Sequence, residues 1–149
     1  MRLALFDLDN TLLAGDSDHA WGQYLIQHGL VNAEDHGKAN DEFYADYQKG
    51  TLDIHAYVHF TLNPVMSKTL SELTKMHQAF MHEFIEPIIL PKALELVEHH
   101  KSLGDFTVII TATNTFITKP IADKFGVDLL LGTDLEMLDN RFTGRISGT

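Results

Sequence analysis

The sequence predicts an α/β protein, a doubly wound parallel sheet with a helical insertion directly after its first strand. Three observations carry that reading. The apolar run Leu3-Ala4-Leu5-Phe6 leads into two carboxylates, Asp7 and Asp9, as a buried parallel strand leads to a ligand-bearing edge. A second run, Phe106-Thr107-Val108-Ile109-Ile110, is rich in β-branched residues and ends at Thr111 in the same manner. Between the two, from Ser17 to about Pro87, apolar residues fall at helical spacing and no strand-like run occurs.

The elements follow in order. The first strand turns at Asn10-Thr11. A first helix carries Ala20, Trp21, Tyr24 and Leu25 on one face and stops near Gly29. A second, polar helix follows Asn32, has Ala39, Phe43 and Tyr47 at successive i, i+4 positions, and ends at Gly50. The third has Asp53 as its N-cap and ends near Asn63-Pro64. The fourth begins after Ser67, presents Leu70, Leu73, His77, Phe80, Met81 and Phe84 as a stripe, and stops before Pro87. A helix over residues 92–103 is closed by Gly104, and the second strand follows it. Thr118 to Phe125 is expected to be a short helix with Pro120 in its first turn and Gly126 as its C-cap. Asp128 to Gly132 reads as a third strand, and Leu135 to Ile146 as a hairpin around Asp139-Asn140. The expected division is residues 1–14 and 88–149 for the α/β core and 15–87 for the helical segment.

Composition bounds the function. At 149 residues the chain is long enough for one sizeable core. A formal net charge of −10, from 21 acidic and 11 basic residues, argues against non-specific nucleic-acid binding, which needs a basic footprint. An anionic substrate stays compatible, because one local cation can dominate a site. There is no cysteine, so disulfides and thiol chemistry are excluded. The first apolar run is cut by Asp7 after a few residues, too short for a secretion signal or a membrane span, and the expected address is cytoplasmic.

The chemistry-bearing residues lie at the ends of the two strands. Asp7 as a carboxylate can attack an electrophile such as phosphorus, and Asp9 can move the proton of a leaving oxygen or a water. Two like charges this close call for a cation, and Mg²⁺ suits carboxylate and phosphate oxygens. In a parallel sheet Thr111 emerges at the same edge as Asp7. Its hydroxyl and the backbone N–H groups after it can hold a phosphoryl oxygen, or it can simply cap the turn. Among the nine histidines, His55 and His59 lie at i, i+4 with Asp53 upstream and read as exposed residues rather than a metal site. His77 falls on an apolar face and is expected as a hydrogen-bonded core residue. His99 and His100 are expected to be solvated.

Asp7-x-Asp9-x-Thr11 after a hydrophobic strand resembles motif I of the haloacid dehalogenase superfamily, and Thr111 resembles its motif II. The resemblance implies a Rossmann-like core, with Asp7 as nucleophile, Asp9 as acid and base, and Thr111 on the phosphoryl group. The helical insertion resembles the C1 cap of the phosphoserine phosphatase-like branch (subfamily IB), which would close over the site and select the substrate. It further implies substrate contacts from Thr11, Ala112, Asn114 and Asp16, the last matching a position where phosphoserine phosphatases carry a Glu. Asp7 and the Asp9 backbone carbonyl would hold Mg²⁺.

That family also needs a motif III Lys and a motif IV acidic pair, and the sequence reaches Thr149 before either; Lys119 and Lys124 come too soon after motif II. The resemblance therefore implies a Mg²⁺-dependent phosphohydrolase of a small phosphorylated metabolite. The 149-residue chain alone is expected to be a poor enzyme. A catalytically inactive phosphate-binding or regulatory module is the alternative. A response-regulator receiver fits less well, because of the long helical insertion. With no motif IV strand beside it, the first strand is expected to be an exposed edge, so the chain is expected to be either a fragment of a longer protein or a product that pairs this edge with a second copy.

Overall fold

The computed structural model describes residues 2–148; Met1 and Thr149, the ends of the expected core segments, lie outside the described residues. β1 (Leu3–Asp7) is followed by α1 (Ser17–Gln27), α2 (Ala33–Lys49) and α3 (Ile54–Leu62), then by a 3₁₀ turn over Asn63–Val65 and α4 (Leu70–Phe80). A π-helical turn (Met81–Ile85) and a 3₁₀ turn (Glu86–Ile88) lead to α5 (Pro91–Ser102). β2 (Phe106–Asn114), α6 (Thr115–Phe125), β3 (Leu129–Leu138) and β4 (Arg141–Gly148) complete the chain.

The four strands form one sheet in the order β1-β2-β3-β4. β1 pairs with β2 and β2 with β3 in parallel, and β4 returns antiparallel to β3. Asp139 and Asn140 both have positive φ, 52° and 62°, as a two-residue type I′ hairpin requires. The expected third strand and the first arm of the hairpin are one continuous β3, with pairing irregularities at Asp134, Leu135 and Met137.

Two parallel crossovers running in one direction across the sheet put their helices on the same face, because such connections are right-handed. On that face Ala4, Phe6 and Ile109 are buried with Ala93 and Val97 of α5 and Ile117, Ile121 and Phe125 of α6. On the other face Leu3 and Leu5 are 66% and 59% exposed, and Ile110, Leu129 and Leu131 are exposed as well. This corrects the reading of residues 3–6 as a buried parallel strand, whereas β1 stands at the edge of the sheet as expected. The apolar run is continuous, but among the described residues no helix covers its second face.

The insertion leaves and rejoins the sheet at one place. Leu13 and Ile89 form an antiparallel bridge. The Ala14 N–H donates to the Ile88 carbonyl at 2.7 Å, and the Leu90 N–H to the Leu12 carbonyl at 3.3 Å. The inserted helices share their hydrophobic core with the sheet layer. Trp21 of α1 packs edge-on against Phe80 of α4 and Phe116 of α6, with ring centroids 5.0 and 5.4 Å apart. His77 sits in this cluster with Nε2 2.9 Å from the Ile117 carbonyl, as expected of a core histidine. His55 and His59 are exposed. His100 departs from expectation: its Nδ1 lies 2.8 Å from Asp105 and its ring packs edge-on against Phe6.

Candidate active site

β1 ends on Asp7, and the turn after it is tied to one carbonyl. Leu8, fully buried, accepts from the N–H groups of Thr11, Leu12 and Leu13. Asn10 adopts φ +58°, a conformation that Asn tolerates better than most residues. The Asn10 N–H donates to the Gly15 carbonyl at 2.8 Å, closing the loop.

The turn gives the two carboxylates opposite surroundings. Asp7 is exposed, and its Oδ2 accepts from the Thr11 hydroxyl at 3.0 Å. Asp9 is half-buried and held at both oxygens: Oδ1 by the Ser17 N–H at 2.7 Å, Oδ2 by the Thr113 hydroxyl at 2.9 Å. Burial pushes the Asp9 carboxyl above its ordinary range, opposed by the Ser17 hydrogen bonds and reinforced by the charge of Asp16. Asp18, in the first turn of α1, lies 3.4 Å from the same Thr113 hydroxyl. Burial, then the charges of Asp16 and Asp9, push Asp18 up to about 7. Tyr57 of α3 is raised far above its usual value by burial and by the charges of Asp18 and Asp16. An exposed carboxylate beside one that retains its proton more readily is the pairing that nucleophilic and acid–base roles require.

Parallel register sets Asp7 beside Ile110, so Thr111, one residue on, stands at the same sheet edge. Its hydroxyl accepts from the Thr113 N–H at 3.1 Å. Ala112 and Asn114, beyond the strand end expected at Thr111, lie inside β2. The pairing of β2 with β3 slips between Ile110 and Asn114 and recovers at Asn114 and Thr133. The Thr133 hydroxyl donates to the Ala112 carbonyl at 2.9 Å and keeps the segment on the sheet.

The structure brings Asp7, Asp9, Thr11 and Thr111 together, with Ala112 exposed beside them. Thr11 is turned to Asp7. Asp16 is the N-cap of α1, accepting from the His19 N–H at 3.0 Å. Asn114 caps α6 through the Ile117 N–H at 3.0 Å and is only 5% exposed, so its side-chain oxygen is committed to the helix. Ser17, Asp18, Tyr57 and Thr113 are the residues that sequence reasoning missed. Thr113 was legible as the i+2 partner of Thr111, had the segment been read as strand.

Among the described residues no group of three or more His, Asp or Glu side chains could hold a metal ion. Asp7 and Asp9 offer hard oxygen donors with like charge. That donor set fits Mg²⁺, which takes one or two protein carboxylates and completes its shell with water and phosphate oxygens. A groove of about 580 Å³ between α2 and α3, lined by residues including His36, Phe43, His59 and Phe60, includes neither carboxylate. Among the described residues no helix is long and apolar enough to cross a membrane.

The haloacid dehalogenase-like hydrolase family model matches residues 4–149. A histidinol-phosphatase of Neisseria meningitidis serogroup C is 48% identical over 149 residues, covering 99% of this chain and 67% of its own. A phosphoserine phosphatase of Mycobacterium tuberculosis is 30% identical, covering 97% of this chain and 48% of its own. A protein from Bordetella pertussis Tohama I superimposes with a TM-score of 0.89 at 40% identity, over 99% of this chain and 67% of that one. A phosphoserine phosphatase captured as a phospho-aspartyl intermediate analogue superimposes with a TM-score of 0.60 at 17% identity, over 99% of this chain and 63% of that one, a likeness of fold. The chain thus spans two thirds of the Neisseria relative and about half of the mycobacterial one.

Proposed function

We propose, from the premise that the chain belongs to the haloacid dehalogenase-like hydrolase family, that it acts on a small phosphomonoester with Asp7 as nucleophile and Asp9 as general acid and base. The observation that carries this reading is the split between the two carboxylates. Asp7 is exposed at the sheet edge, whereas Asp9, two residues on, is held at both oxygens with its proton affinity raised.

In the first half-reaction an Asp7 oxygen attacks phosphorus, the ester P–O bond breaks, and Asp9 gives its proton to the departing oxygen. In the second, Asp9 takes a proton from water as that water attacks the phosphoryl group on Asp7. The bond between the Asp7 oxygen and phosphorus breaks, inorganic phosphate leaves, Asp7 is again a carboxylate and Asp9 is again protonated. Thr11 orients Asp7, and Thr111 with the N–H groups after it receives a phosphoryl oxygen. Bound Mg²⁺, held by Asp7 and the Asp9 carbonyl, would offset the negative charge gathered on the carboxylates and the phosphoryl group. Residues 15–87 act as the cap that excludes water and selects the substrate. A cytoplasmic compartment belongs to the same proposal, consistent with a sequence that has no cysteine.

Relatives named as phosphatases support turnover over a binding-only module. The 48% identity to a histidinol-phosphatase favours a phosphorylated amino alcohol among the small phosphomonoesters. The test is phosphate release from histidinol phosphate, phosphoserine and p-nitrophenyl phosphate, with Mg²⁺ and with EDTA. The expected result is Mg²⁺-dependent release, fastest from histidinol phosphate, by this chain or by a longer product of the same gene; release insensitive to EDTA, or absent for every ester from both, contradicts the proposal.

A further inference from the structure

The Thr113 hydroxyl stands between two carboxylates, 2.9 Å from Asp9 Oδ2 and 3.4 Å from Asp18 Oδ2. A hydroxyl has one proton to donate, and an ionised carboxylate can only accept. With both acids ionised, one of the two contacts would be an oxygen facing an oxygen. A proton on either acid closes the arrangement, but the proton that Asp9 gives to the leaving oxygen has to face the substrate rather than Thr113; the donor to the Thr113 oxygen is then Asp18, and Thr113 donates to Asp9. Thr113 is 6% exposed, so water has little room to supply the missing donor. The charged and titratable groups around Asp18 are Asp16 on its own helix, Asp9 on the β1 turn and Tyr57 on α3. None of these adds a positive charge, and the hydrogen bonds of Thr113 and Tyr57, which favour ionised Asp18, are outweighed by its burial and by the charges of Asp16 and Asp9.

We propose that Thr113 is a positioning residue for Asp9, and that Asp18 donates a hydrogen bond to Thr113 and so aims the Thr113 hydroxyl at Asp9. The inference rests on the acid–base role given to Asp9 above. The first turn of α1 then fixes both ends of the Asp9 carboxyl: Ser17 holds Oδ1 directly, and Asp18 holds Oδ2 through Thr113. Seating of the α1 helix and orientation of Asp9 become one event.

The variants Thr113→Val, Thr113→Ser, Asp18→Ala and Asp18→Asn test this. Asn keeps an N–H donor where Asp18 would offer O–H, so it separates a donating Asp18 from one that acts through negative charge. The first readout needs no turnover: the Ser17 amide proton in an ¹H–¹⁵N spectrum, which reports its 2.7 Å bond to Asp9. Thr113→Val and Asp18→Ala are expected to move that resonance, whereas Thr113→Ser and Asp18→Asn leave it in place. The second readout is kcat against KM for p-nitrophenyl phosphate with Mg²⁺. The Val and Ala variants are expected to lose about 10- to 100-fold in kcat with KM held. The Ser and Asn variants are expected to stay within about threefold of the parent. A Ser17 amide unmoved by Thr113→Val overturns the proposal, as does Asp18→Asn behaving like Asp18→Ala. If neither the parent chain nor a longer product of the same gene hydrolyses any ester, the phosphatase reading fails, and the amide resonance still decides whether Asp18 and Thr113 hold Asp9.

Discussion

Asp7 and Asp9 are the same residue type two positions apart, and their differences come from what the next residues do. Thr11 reaches back to Asp7, and Ser17 and Thr113 close on Asp9. Asp18 carries the consequence furthest, because burial raises its carboxyl from 3.8 to about 7. Between those values the folded chain holds a proton that the unfolded chain has lost. Stability from this group is therefore full below the unfolded value and falls as pH rises toward 7. Asp18→Asn removes that dependence. At about pH 8 the variant is expected to gain on the order of 2 kcal/mol over the parent, allowing for the group's partial exposure; at about pH 4 the two should match. Denaturant midpoints measured at both values check this, and a gain equal at the two contradicts it. In the sequence the placement of Asp7, Asp9 and Thr111 at one sheet edge was legible, since each follows an apolar run. Asp18 was not, because an acid in the first turn of a helix is also what the helix dipole favours.

At the scale of elements, sequence signals worked where a single local interaction decides the boundary. Asn32 and Asp53 cap α2 and α3 as read, accepting from N–H groups of the first turn. The start of α4 lies at Thr69, where a capping box with Glu72 fixes it, two residues past the Ser67 boundary read from the apolar stripe. The larger departure is at β2 and α6. Pro120 suggested a helix start near Thr118, but Asn114 nucleates α6 three residues earlier and leaves Pro120 inside it. β2 runs on to Asn114 because β3 continues to pair beside it, a tertiary contact that no local pattern reports. Gly132 shows how close that approach is. A Cβ there would stand 2.9 Å from the Thr113 carbonyl and 3.1 Å from the Thr115 methyl group, so the strand that carries Thr113 depends on a glycine in the strand beside it.

Over the whole molecule, the parallel core with its inserted helices was readable, because strand ends and helical spacing alternate clearly along the chain. Which faces are covered was not readable, since a continuous apolar run looks alike whether one side or both are packed. The face bearing Leu3, Leu5, Ile110, Leu129 and Leu131 is exposed, with β1 at the sheet edge. An apolar edge of this kind pairs with other chains. The 149-residue chain is expected to self-associate, and Leu5→Lys to weaken the association. In sedimentation equilibrium the parent's average mass should rise with concentration more than the variant's. Equal behaviour of the two would remove this face as the cause.

The central claim is that Asp7 takes the phosphoryl group. The most direct measurement is peptide mass spectrometry after acid quenching of a reaction with Mg²⁺ and a phosphomonoester, run on this chain and on any longer product of the same gene. The account predicts one added phosphoryl group on the peptide holding Asp7, lost in Asp7→Asn while the fold persists. A phosphoryl group on another residue, or hydrolysis that continues in Asp7→Asn, would contradict it.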